Sequence, residues 1–262
     1  MSCKKAVLVT SFGTSHLDTL EKTIAATEAA IAKALPDFTL RRAFTSTIIM
    51  KKLRNRDGLE IDDVAQALTR LYEEGFTQVV IQPTHILCGE EYEKLCALAS
   101  PFLDKLTISM GTPLLRTIDQ HLELAKVLPT LTEAPARDEA LIFMGHGSPH
   151  FANSAYALLQ YMLEELHAER TYIGTVEGYP ALDQVIRRLK LQPQIRKVRL
   201  MPLMVVAGDH ANNDMAGPQE NSWKNILTRE GYQVTCLMEG LGEKPAIQQM
   251  FCQHAVDAAG KL

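Results

Sequence analysis

Slid along itself, this chain meets its own pattern twice. A shift of 134 positions lays Ala6-Val-Leu-Val-Thr-Ser-Phe-Gly-Thr-Ser-His16 on Ala140-Leu-Ile-Phe-Met-Gly-His-Gly-Ser-Pro-His150, with Gly13 on Gly147 and Phe12 on His146. A shift of 119 lays Val79-Val-Ile-Gln-Pro83 on Val198-Arg-Leu-Met-Pro202, Gly89 on Gly208 and Glu91 on His210. Two matches in the same order indicate an internal duplication, and each matched segment is an apolar, β-branched run that breaks into glycine. Such a chain builds two similar lobes facing each other across a cleft.

Between the matched runs, strand and helix signals alternate. Strands are expected at 6–10, 38–44, 76–82 and 106–110, and again near 140–145, 171–176, 197–204 and 232–238. Helical spacing lies between them: Leu17, Leu20, Ile24, Ile31 and Leu35 share one face, and Pro36 closes that helix. Alternation of this kind implies parallel sheets covered by helices, an α/β fold. The divide is expected in the Pro-, Thr- and Glu-bearing stretch 128–136, giving lobes 1–130 and 131–262. The length of 262 residues suits two lobes of ordinary domain size.

Composition narrows the partners. A net charge of −4 supplies no global basic field, so nucleic acid is not an expected partner and any anion site must be local. No apolar run approaches the length of a membrane span, and the apolar run behind Lys4-Lys5 is too short for a signal peptide. The five cysteines, at 3, 88, 96, 236 and 252, form no CxxC pair and are odd in number. Free thiols in a reducing cytoplasm fit that pattern better than a disulfide framework. A homo-oligomer is left open.

Three strand-like runs in the second half lead into residues that bind metals: His146 after Ala140–Gly145, Glu177 after Tyr172–Val176, and His210 after the run from Val198. Open parallel sheets gather their sites at the carboxyl ends of the strands, so these three can converge although they are far apart in sequence. Two imidazoles and a carboxylate leave positions open on a divalent ion, unlike a closed structural site. Glycines on both sides of His146 allow a tight turn and leave room for a ligand. Glu177, at the end of the middle strand of the three, is the natural third ligand. Asp209, Asn212, Asn213 and Asp214 surround His210 and can cap the next helix or fix the imidazole tautomer. His16 and His150 read as helix-start residues.

The first half offers less. Ser11-Phe-Gly-Thr-Ser15 joins strand to helix, where backbone N–H groups can receive an anion, but it lacks the spacing of dinucleotide and P-loop motifs. Within His85-Ile-Leu-Cys-Gly-Glu-Glu-Tyr92, His85, Glu90 or Glu91 could carry protons or bind substrate, and the two acids equally read as a helix start. Lys51, Lys52, Arg54 and Arg56 read as a solvated helix face that could alternatively hold carboxylates.

Met-Gly-His146-Gly and Ala-Gly-Asp-His210-Ala-Asn-Asn-Asp-Met, with Ser-Phe-Gly-Thr-Ser near the N-terminus and Gly-Glu-Glu-Tyr-Glu-Lys between, resemble the anaerobic cobalt chelatase family of cobalamin biosynthesis, the CbiK type. It is grouped with ferrochelatase among the class II chelatases, which need no ATP, and the resemblance runs over nearly the whole chain. The resemblance implies two flavodoxin-like (Rossmann-like) lobes and insertion of Co²⁺, or Fe²⁺, into sirohydrochlorin. Carried over by position, His146, Glu177 and His210 are metal-binding, His146 is also the proton acceptor, and Glu91 is a catalytic residue near the macrocycle. Ser11, Phe12, Gly13, Thr14 and His85 become candidate substrate contacts. No organic cofactor is implied, since the divalent metal is itself a substrate. A metal-dependent hydrolase using the same ligands around an activated water, or a non-catalytic metal or tetrapyrrole carrier, are the competing classes.

Overall fold

The computed structural model describes residues 4–168 and 170–262. The chain opens with β1 (Lys5–Ser11), then α1 (Leu17–Leu20), which runs through a π-helical turn at Glu21–Ala25 into α2 (Ala26–Ala34). Next come β2 (Thr39–Phe44), α3 (Thr47–Asp57), α4 (Val64–Glu73), β3 (Gln78–Pro83), α5 (Glu90–Ala99) and β4 (Thr107–Met110). The order then repeats: α6 (Ile118–Val127), β5 (Glu139–Gly145), α7 (Ser154–Glu165), β6 (Thr171–Thr175), α8 (Leu182–Lys190), β7 (Lys197–Pro202), α9 (Trp223–Arg229), β8 (Gln233–Cys236) and α10 (Pro245–Ala259). No helix among the described residues is long and apolar enough to cross a membrane.

Both sheets are parallel and four-stranded, ordered β2-β1-β3-β4 and β6-β5-β7-β8. The first strand of each half is central and helices cover both its faces, so Ala6–Val9 and Ala140–Met144 are fully buried and read as unbroken apolar runs. In the first sheet Ala6, Leu8, Ala43, Val79 and Ile81 pack on Val64, Leu68, Leu71 and Leu95 of α4 and α5. In the second, Ile142, Met144, Val198 and Leu200 pack on Val185 and Leu189 of α8 and on Trp223 and Leu227 of α9. The helices are bounded by local chemistry. Asp63 and Gln66 form a capping box at the start of α4, and Thr117 and Gln120 form another at α6. Gly58, at φ 65°, ends α3 with its N–H on the Arg54 carbonyl.

The compact units are bounded differently from the expected lobes 1–130 and 131–262. One compact unit runs through Arg116 and takes in Pro245–Leu262, while the other is Thr117–Lys244. The capping box at Thr117 launches α6, which packs on α7 with Leu124, Ala125 and Leu128 buried. The stretch 128–136 is therefore a connection inside the second unit, where Arg199 donates to the Glu133 carbonyl at 2.9 Å. The last helix, α10, packs on α2, β3 and β4, and the Ser109 hydroxyl donates to the Ala258 carbonyl at 2.7 Å. Helix spacing alone does not say which sheet a terminal helix covers.

Candidate metal centre

In the second unit β5 lies between β6 and β7, with Gly145 beside Thr175 and Met144 beside Pro202. The residue after β5 is His146, and Glu177 stands two past β6. Glu177 thus follows an edge strand, the strand central in space being β5. β7 ends at Pro202, earlier than expected, and residues 203–208 form an irregular lead into a helical turn that takes in Asp209 and His210 and runs on as the π-helical turn Ala211–Met215. That lead is anchored where Leu241 and Gly242 donate to the carbonyls of Met204 and Val205 at 2.8 and 3.0 Å.

One ligand atom from each of His146, Glu177 and His210 lies within 4.8 Å of the others, and no other such group of three occurs among the described residues. The two imidazoles meet edge to face, centroids 4.5 Å apart at 87°. Each is fixed through Nδ1: His146 to the Gly147 carbonyl and His210 to Asp214 Oδ2, both at 2.7 Å. A carbonyl and a carboxylate only accept, so Nδ1 carries the hydrogen and each Nε2 keeps its lone pair for an ion. From the acidic and amide cluster the fold selects Asp214. Asn212 instead donates to the Gly208 carbonyl at 2.9 Å. His146 and Glu177 are exposed and His210 is half-buried, so an ion could arrive from solvent.

The flanking glycines do something other than make room for a ligand. A Cβ on Gly145 would lie 2.6 Å from the Tyr156 ring, and one on Gly147, at φ 84°, would lie 2.5 Å from the Gly178 nitrogen. They admit a tyrosine and the 176–178 backbone, which donates from Val176 and Glu177 to the His146 carbonyl at 3.1 and 2.8 Å. Tyr156 is buried and its phenol is pushed up to about 12, chiefly by that burial, against backbone hydrogen bonds from Gly147 and His146. Asn153 ties the two loops, accepting from the Ser148 N–H at 3.0 Å and donating to the Tyr179 carbonyl at 2.7 Å. Tyr156 and Asn153 were not singled out in the sequence because their roles depend on tertiary contacts. His150 is a helix-start residue, accepting from the Ala152 N–H at 3.2 Å.

In the first unit, Ser11 Oγ shares a 2.8 Å hydrogen bond with Thr84 Oγ1, and Thr14 Oγ1 accepts from the His16 N–H at 3.2 Å. A Cβ on Gly13, at φ 100°, would enter the Phe44 ring. Phe12 alone of this loop presents a large apolar side chain, half exposed. The Ser15 carbonyl takes the Arg56 guanidinium. Glu90 and Glu91 both stand in the first turn of α5, Glu91 Oε1 lying 3.9 Å from Lys94 Nζ. Burial pulls the His85 imidazole down to about 4, with Glu91 acting the other way, so it is neutral near pH 7. Lys51 and Lys52 are exposed, and Arg54 and Arg56 pair with Glu60 and Asp57.

Comparison with known proteins agrees with this layout. The cobalt chelatase (CbiK) family matches residues 5–260. A sirohydrochlorin cobaltochelatase of Salmonella typhimurium is 44% identical over 256 residues, 96% of this chain and 95% of the relative. The sirohydrochlorin cobaltochelatase CbiKC of Nitratidesulfovibrio vulgaris is 32% identical over 263 residues, 99% of this chain and 92% of the relative. Among solved structures, the sirohydrochlorin chelatase SirB of Bacillus subtilis subspecies spizizenii in complex with cobalt shares the fold at TM-score 0.62. That match has 13% identity and covers 98% of this chain and 96% of the other. With the match spanning nearly every residue and relatives this close along their whole length, the chain belongs to the cobalt chelatase (CbiK) family.

Proposed function

We propose that this protein inserts Co²⁺ into sirohydrochlorin without ATP, as a lyase of cobalamin or related tetrapyrrole biosynthesis. The observation that carries this is the His146–Glu177–His210 group, with both Nδ1 atoms tied and both Nε2 lone pairs free. Kinship to two proteins named sirohydrochlorin cobaltochelatase supplies the substrate class. The ion is a substrate here. Imidazole and carboxylate ligands strip water from Co²⁺ without the hold of thiolates, so the ion can be passed on.

Insertion must also remove two pyrrole protons. His146 is the base in this reading: with Nδ1 tied to the Gly147 carbonyl, Nε2 is left to accept a proton. Glu91 is a second proton acceptor, and Phe12, in the Ser11–Thr14 loop, offers an apolar face to the macrocycle. Free thiols at Cys88, Cys96, Cys236 and Cys252 support a cytoplasmic setting, and Cys3 lies outside the described residues.

The test is an anaerobic absorption assay with purified protein, sirohydrochlorin and Co²⁺. Many turnovers without ATP are expected, abolished in His146→Ala and in His210→Ala while the circular dichroism spectrum is retained. Near-normal turnover in either variant would sink the site. A spectral change that stops at one equivalent of protein would mean a carrier, and none with any divalent metal would favour a hydrolase.

A further inference from the structure

Seven buried side-chain polar atoms of the first unit have no hydrogen-bond partner, and five of them belong to four residues: Thr10 Oγ1, Thr45 Oγ1, both ring nitrogens of His85, and Glu91 Oε2. Their placement follows from the sheet. Side chains alternate along a strand, and Ala6, Leu8, Ala43, Val79 and Ile81 face α4 and α5. Thr10, near the end of β1, and Thr45 and His85, one and two residues past β2 and β3, continue that same alternation. Ladder bonds persist there, from the Thr45 N–H to the Ser11 carbonyl and from the Thr84 N–H to the Thr10 carbonyl, both at 2.9 Å. The apolar face of the sheet therefore ends in a polar layer beneath α5. Glu91, on the first turn of α5, acts electrostatically on His85. Residues 85 and 86 are held by their carbonyls, which accept from Leu114 and Leu115 at 3.0 and 2.9 Å.

Buried polar groups are rarely left unpaired, and five together would be costly. A neutral imidazole offers one donor and one acceptor, each hydroxyl offers both, and the carboxylate oxygen accepts. No side chain present satisfies them. Lys94, the neighbouring cation, donates to the Thr45 carbonyl at 2.8 Å and stands 3.9 Å from the other oxygen of Glu91. Buried donors and acceptors mixed on one face at neighbouring strand ends are what ordered internal water requires.

We propose that Thr10, Thr45 and His85 hold a chain of internal water behind Glu91, and that the proton Glu91 takes from the macrocycle leaves through it. This rests on the chelatase reading and extends it to three residues of the first unit. The carboxylate takes a proton from a pyrrole nitrogen and gives it up from Oε2 to the first water. Each water then passes one proton on. His85 accepts at one ring nitrogen and releases from the other, so carboxylate and neutral imidazole are both restored and one proton reaches solvent. Burial keeps His85 neutral between turnovers, so it carries a proton only in transit. His85 is a relay and positioning residue, one step removed from the reacting atoms.

Two measurements test this. A high-resolution crystal structure of the metal-free protein should show ordered waters within about 3.2 Å of Thr10, Thr45, His85 and Glu91. A dry pocket, or direct bonds among these side chains, would overturn the proposal. In the chelation assay, Thr45→Val and His85→Gln should lower kcat about ten- to a hundredfold. KM for the tetrapyrrole and Co²⁺ binding should be preserved, the solvent deuterium isotope effect should grow, and Thr45→Ser should restore the rate. Thr45→Val is the milder change should His85→Gln fold poorly. Waters present but wild-type kinetics in both variants would overturn the relay alone. A wild-type protein that inserts no metal would bring down the chelatase reading and the relay with it, while the crystal still decides whether the pocket is wet.

Discussion

A single methyl group at position 147 should dismantle the metal centre from behind. The alanine Cβ of Gly147→Ala would stand 2.5 Å from the Gly178 nitrogen and 2.9 Å from the Glu177 carbonyl carbon. Both obstacles are backbone, so neither can swing aside, and the 176–178 loop must retreat by about 0.9 Å to restore ordinary contact. The residue must also hold φ near 84°, which costs a side-chain-bearing residue about 1–2 kcal/mol. Retreat breaks the 2.8 Å bond from the Glu177 N–H to the His146 carbonyl, worth about 1 kcal/mol. The sum, about 2–3 kcal/mol, lowers Tm by roughly 4–12 °C for a chain of this size. Since Glu177 rides on the displaced loop, Co²⁺ affinity should fall at least about tenfold. Calorimetry and a Co²⁺ titration followed by its visible absorption read both effects. Gly208→Ala is the control: its Cβ would meet only Val206 Cγ1, at 3.7 Å, and both quantities should stay near wild type. A Gly147→Ala protein that melts and binds like Gly208→Ala would refute the steric account.

Removing the carboxylate behind His210 should act on the metal alone. Asp214→Ala is expected to weaken Co²⁺ binding about 10- to 100-fold, and Asp214→Asn less, because an amide oxygen can still accept from Nδ1; equal affinity in all three proteins would contradict the 2.7 Å bond. His85 should make the fold acid-sensitive. The unfolded imidazole takes a proton near 6.5 and the folded one only at about 4, so stability is whole above the upper value. It is lost as pH falls through that window, by on the order of 3 kcal/mol. Urea unfolding at pH 7 and pH 4.5 should show a smaller loss in His85→Gln than in wild type, and parallel losses would rule the burial effect out.

Much of the architecture was legible because its signals are local. Continuous apolar runs marked the strands to within about two residues, and glycine after β5 marked the turn that carries His146. The three candidate ligands could be picked out because parallel topology sends the carboxyl ends of neighbouring strands to one edge. What was not legible depends on which surfaces meet. Asp209 and Asp214 are equivalent as text, and only the turn through Ala211–Met215 decides that Asp214 reaches the imidazole. Gly145 and Gly147 announced a special conformation, but not that a tyrosine and a second loop would fill the space. The polar layer of Thr10, Thr45 and His85 is scattered over three strand ends and becomes a group only when the sheet registers are known.

Protein synthesis runs in one direction, and the helix α10 turns that into a folding schedule. The second unit is one uninterrupted stretch, complete once Lys244 has been made. The first unit, whose strands leave the ribosome earliest, lacks the buried side chains of Ile247, Met250, Phe251 and Ala255 until translation has passed them. The half translated first is therefore the half finished last. Nascent chains stalled before α10 should expose an incomplete first sheet to chaperones and proteases while the half that carries His146, Glu177 and His210 is already whole.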